Sequence, residues 1–80
     1  MDLSQAAIVA ALRKAGCQVQ TLAAIGQGVP DLLAGRASRL WLIECKTGRG
    51  DLTPAQRKWH ALWPVHICRT PEEALRAVGL

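Results

Sequence analysis

The chain has no long apolar run. Nothing in it approaches the roughly 18 consecutive apolar residues that a membrane-spanning helix requires, and no charged-then-apolar leader opens it. A soluble, cytoplasmic protein is therefore expected. Cysteine is scarce and odd in number: Cys17, Cys45 and Cys68 are three, too widely spaced for a disulfide framework or a CxxC metal knuckle. Each lies in or beside an apolar stretch, which predicts buried thiols in a reducing compartment. Acids are also in short supply, with six Asp and Glu against ten Lys and Arg, a net charge of +4 and a pI near 9.5. That balance favours a polyanionic partner, most simply nucleic acid, although an ordinary soluble basic protein shows the same excess. Internal repeats and low-complexity segments are absent.

What is present is enough for one domain spanning residues 1–80. Half of the residues are hydrophobic, which separates the chain from disordered tails. So short a domain is marginal on core burial alone and often gains stability by oligomerising.

Helical spacing of Ile8, Ala11, Leu12 and Ala15 predicts a first helix from about Leu3 to Ala15, closed by Gly16. Asp2 and Gln5 have capping-box spacing, with Ser4 a competing N-cap. Cys17 to Leu22 alternates as a half-buried strand does. A glycine-bearing loop, Ala23 to Gly28, leads to a short strand from Pro30 through Leu33. Gly35 to Ser38 reads as a turn, and Arg39 to Lys46 as a long strand. The short connections favour a meander. A loop from Thr47 to Leu52 precedes Thr53-Pro54-Ala55-Gln56, where Thr is a suitable N-cap and Pro opens the helix. This second helix places Ala55, Trp59, Leu62 and Trp63 on or near one face and stops before Pro64. Val65 to Cys68 is a strand, and Thr70-Pro71 starts a last short helix. The order α-β-β-β-α-β-α implies a mixed α/β sandwich around one small sheet.

Within this order, Asp31, Glu44 and Lys46 form a candidate site. Glu44 and Lys46 are at positions i and i+2 of a strand and face the same way. Phosphodiester hydrolysis requires a metal that neutralises phosphate charge and acidifies water. Hard cations take oxygen ligands, which Asp31, Glu44 and the backbone carbonyl of Cys45 offer. Lys46 is suited to orient the water and stabilise its developing charge. Pro30 restricts how Asp31 leaves its loop. A solvent-facing Glu–Lys pair and a turn Asp are the plain structural alternatives.

Together GVPDLL, WLIECKTGRG, DLTPAQRKWH and PEEALRAV resemble the VRR-NUC nucleases of the PD-(D/E)xK superfamily, in their short stand-alone bacterial and phage form. The resemblance runs from roughly Leu3 to Val78. It implies a restriction-endonuclease-like α-β-β-β-α-β core, here with a short C-terminal helix. It also implies Mg²⁺ or Mn²⁺ dependence and a homodimer that cuts branched DNA such as four-way junctions. Asp31, Glu44 and the Cys45 carbonyl would be the metal ligands and Lys46 the catalytic lysine. Gln56 would border the active site, besides closing a capping box with Thr53. Many relatives carry a Glu in the first helix where this chain has Gln5. An amide is a weaker ligand for a hard cation, so a second metal position is in question.

Arg49, in the Gly-bearing loop after the long strand, is expected to contact DNA phosphate, as are Arg57 and Lys58 at the start of the second helix. Arg13, Lys14, Arg36, Arg39, Arg69 and Arg76 have a weaker claim as surface charges. His60 and His66 lack HxH or HxxxH partners and are not expected to be ligands or bases. Trp41, Trp59 and Trp63 are expected in the core or in a dimer interface rather than stacked on bases. The competing reading, of another class, is a non-catalytic DNA-binding protein or subunit that retains the nuclease fold.

Overall fold

Each helix begins and ends where local chemistry requires. In the computed structural model, which describes residues 3–80, α1 spans Leu3–Lys14. It stops one residue before the sequence suggested, in a Schellman closure: Gly16 N–H donates to the Arg13 carbonyl and Cys17 N–H to the Leu12 carbonyl. Gly16 holds φ +98, which only glycine adopts cheaply. Ser4 lies inside the helix and is not its N-cap; the proposed Asp2 cap lies outside the described residues. The second helix, α2, spans Pro54–His60 and carries the full capping box, with Thr53 and Gln56 bonding reciprocally. The third, α3, spans Pro71–Ala77 behind an N-cap from Thr70.

Four strands form one mixed sheet in the order β1 (Gln18–Thr21), β2 (Leu32–Arg36), β3 (Arg39–Cys45), β4 (Val65–Cys68). The first three make the expected antiparallel meander, and β4 joins β3 in parallel after the α2 crossover. The β2–β3 connection corrects the sequence expectation. Gly35 and Arg36 belong to the strand, paired with Leu40 and Arg39. The turn is only Ala37-Ser38, both at positive φ (52° and 64°) as a two-residue I′ hairpin requires. β2 accordingly starts at Leu32 rather than Pro30. β1 is mostly exposed, with only Val19 half-buried.

Period-two alternation then divides the sheet. Leu32, Ala34, Trp41, Ile43 and Cys45 are buried with Ile8, Val9 and Leu12 of α1 and with Ala74 and Val78 at α3. Cys17, Cys45 and Cys68 are buried free thiols; burial and nearby Glu73 push the Cys68 thiol up to about 11. Leu33, Leu40, Leu42 and Glu44 alternate with these core positions and face the other side. There α2 lies across the end of β3, although it buries none of its own residues. The helix ends at His60, short of the expected stop before Pro64, so Leu62 and Trp63 lie beyond it, 81% and 52% exposed, and do not form a core face with it. Trp63 instead stacks on Trp59, ring centroids 4.8 Å apart. No helix among the described residues is long and apolar enough to cross a membrane.

Candidate active site at the end of the third strand

The strand–turn sequence brings Asp31, Glu44, Lys46 and Gln56 together. Asp31 directly precedes β2 and accepts the Cys45 N–H at Oδ2, 2.8 Å away. This bond ties the Asp31 side chain to the end of β3, between Glu44 and Lys46. Cys45 thus joins the site by its backbone, while its side chain is in the core. The loop that carries Asp31 is set by Gly28, at φ +84. A Cβ there would press into the Ala55 carbonyl, far inside contact distance, so only glycine lets this loop close on the start of α2. Pro30 is fully buried beneath it.

Glu44 is 2% exposed, although its strand position faces away from the main core. Gln56 Nε2 approaches its Oε2 at 3.4 Å. Lys46 Nζ stands 4.0 Å from the same oxygen and donates to Gln56 Oε1 at 2.8 Å. That Oε1 also accepts the Thr53 N–H. The helix-capping and site-bordering roles of Gln56 are therefore one geometry: the capping box fixes the amide that orients the ammonium.

Burial raises the proton affinity of Glu44 most, followed by the hydrogen bond and charge of Asp31. Lys46 opposes them, and the carboxyl is pushed up to about 8. Two facing carboxyl groups and one ammonium leave the cluster short of positive charge once both acids ionise.

The fourth side of the cluster is His60, one helical turn beyond Gln56 on the same face of α2. Its Nε2 is 3.8 Å from Glu44 Oε1 with the side chain 10% exposed. Burial, and secondarily Lys46, hold its pKa below the ordinary histidine value. No local spacing marks His60 as a site residue, because its neighbour Glu44 comes from a strand 16 positions earlier. Arg69 was likewise a weak candidate. It donates to the carbonyls of Gly48 and Gly50 at 2.7 and 2.9 Å and pins the loop after β3. Arg49 is exposed on that loop and Lys58 on α2. Arg57 is tied locally to Asp51 at 2.6 Å and to the Leu52 carbonyl. Gln5 is a buried polar residue of α1. His66 is exposed on β4.

Among the described residues, no three His, Cys, Asp or Glu side chains are grouped to hold a metal ion. Asp31 and Glu44 nevertheless fit a hard divalent cation that takes two carboxylates and completes its shell with water, backbone and substrate oxygens. A cation there would replace the proton that Glu44 otherwise retains. Compared with known proteins, the chain matches no family model, no curated protein and no solved structure.

Proposed function

We propose that the chain is a metal-dependent, structure-selective DNA endonuclease with a restriction-endonuclease-like core, acting in the cytoplasm as a homodimer on branched DNA such as four-way junctions. The observation that carries this reading is the convergence of Asp31, Glu44, Lys46 and Gln56 at one end of β3. A plain solvent-facing Glu–Lys pair would not be buried, nor be gripped by an amide from another element.

Bound Mg²⁺ or Mn²⁺ would neutralise phosphate charge and acidify a coordinated water. Asp31 and Glu44 would hold the cation, with the Cys45 carbonyl as a backbone ligand. Gln56 aims the Lys46 ammonium, which orients the attacking water and stabilises its negative charge. Attack at phosphorus breaks the P–O3′ bond and leaves a 5′-phosphate and a 3′-hydroxyl. Arg49 and Lys58 contact the DNA backbone around the site, and Arg57 does so while bracing the loop through Asp51. Phosphate contacts of this kind read shape rather than base sequence, in keeping with a branched substrate. An apolar groove of about 400 Å³ lined by Leu33, Leu40, Trp41, Leu42, Trp63 and Pro64 supports a second copy as partner. Two-fold symmetry would present two sites for paired nicks.

Labelled four-way junction, flap, single-stranded and linear duplex DNA, each incubated with Mg²⁺, Mn²⁺ or EDTA, test the proposal. The native chain is expected to nick the junction only with metal, and Asp31→Ala and Lys46→Ala to abolish nicking. Equal cleavage of every substrate removes the junction preference. Tight junction binding without cleavage by the native chain would make it a non-catalytic DNA-binding protein.

A further inference from the structure

Glu44 Oε1 and His60 Nε2 are both buried, and neither has a hydrogen-bond partner among the described residues. They face one another at 3.8 Å, slightly beyond hydrogen-bond reach. Leaving two buried polar atoms unpaired is costly, and a small side-chain movement removes both deficits at once. The opposite oxygen of the same carboxylate is already approached by Gln56. Gln56 and His60 are four residues apart on α2, so they stand one above the other on a single helix face. One face of one helix thus addresses both oxygens of one carboxylate.

We propose that His60 is a positioning residue for the cation site: its Nε2–H donates to Glu44 Oε1, and with Gln56 it fixes the plane of the Glu44 carboxylate. The inference rests on the reading of Asp31 and Glu44 as cation ligands. A carboxylate oxygen has two lone pairs, so one accepts from His60 while the other remains for the cation. Carboxylates that bind metals are commonly held by such outer hydrogen bonds, and removing one typically costs about 10–100-fold in metal affinity or activity.

The test uses the native chain, Glu44→Gln, His60→Leu and His60→Gln, with Mn²⁺ and Mg²⁺ affinities measured by calorimetry and Mn²⁺ binding also followed by electron paramagnetic resonance. His60→Leu is expected to weaken both cations by about 10–100-fold. His60→Gln, whose amide donates to the same oxygen, is expected to recover most of the loss. A purely space-filling role predicts no difference between Leu and Gln and overturns the proposal. Loss of Mn²⁺ binding with Mg²⁺ unaffected also overturns it, since that result makes His60 a direct nitrogen ligand. Long-range proton–nitrogen NMR on the metal-free chain at about pH 9, where the Glu44 carboxyl is ionised and can only accept, provides an arm that needs neither a cation nor the Leu variant to fold. The proton is expected on Nε2, and the Nε2 resonance is expected to move in Glu44→Gln. A ring protonated on Nδ1 alone refutes the contact. If the native chain binds neither cation better than Glu44→Gln does, the cation-site reading fails, and the NMR arm still decides the His60–Glu44 contact.

Discussion

Replacing Glu44 with Gln should make the metal-free protein more stable at alkaline pH, although it removes a residue of the site. The native carboxyl is pushed up to about 8 from an ordinary value of 4.5, chiefly by burial and then by Asp31. Between those pH values the folded chain holds a proton that the unfolded chain has released. Stability therefore falls as pH rises, by about 1.4 kcal/mol per pH unit. The contribution of Glu44 is most favourable below pH 4.5 and has been lost by pH 8, a total of about 5 kcal/mol. That is comparable with the whole stability of many small domains. The amide introduced by Glu44→Gln carries no charge, and its carbonyl oxygen can still accept from Gln56. Urea unfolding in EDTA from pH 5 to 8 should show the stability difference, variant minus native, rising steadily with pH. Adding Mn²⁺ at pH 8 should stabilise the native chain and leave the variant unchanged, because a ligand stabilises only the state that binds it. A difference that stays flat across the range, or a variant less stable than the native chain at pH 8, would refute the argument.

Gly28→Ala should destabilise by at least about 1–3 kcal/mol, because it combines positive φ with a clash against the Ala55 carbonyl; a thermal melt matching the native chain would contradict this. Gln56→Ala removes the acceptor shared by Thr53 N–H and Lys46 Nζ. It should cost about 1–2 kcal/mol in denaturant unfolding and abolish DNA cleavage. Hydrogen exchange should find the amides of α2 less protected than those of β3, since α2 buries no residue. Mn²⁺ should raise α2 protection selectively, and uniform protection across both elements would argue against a loosely held helix.

The elements were legible where backbone chemistry is local. Both Thr-Pro helix starts are visible as sequence, because an N-cap and a proline act within one turn, and both occur as expected. The β2–β3 hairpin was less legible for a related reason. Gly35 and Ser38 have turn composition, yet pairing of Gly35 with Leu40 extends the strand through the glycine. Ala37 and Ser38, which have side chains, take the positive φ angles instead. Tertiary register overrode local preference there. The second helix shows the same limit: Trp59, Leu62 and Trp63 have helical spacing, but the helix stops at His60 and Leu62 and Trp63 are exposed beyond it. Spacing indicates which residues share a face, and only the fold decides what the face meets.

The candidate site shows the same division more sharply. Asp31, Glu44, Lys46 and Gln56 could be selected from short motifs, because their spacing reflects a strand and a helix start. Alternation along β3 puts Glu44 opposite Trp41, Ile43 and Cys45, and on that basis alone it belongs in solvent. Its burial comes from α2, which covers it with an amide and an imidazole rather than with apolar groups. A helix that covers a carboxylate with polar groups gains little hydrophobic stability from doing so, and it raises the energy of the ionised carboxylate as well. Neither consequence improves folding. Both are understandable if the electrostatic deficit is filled by a cation when the protein works. The strain at Glu44 and the weak attachment of α2 then have one physical origin, and it lies in contacts between distant segments that no single motif encodes.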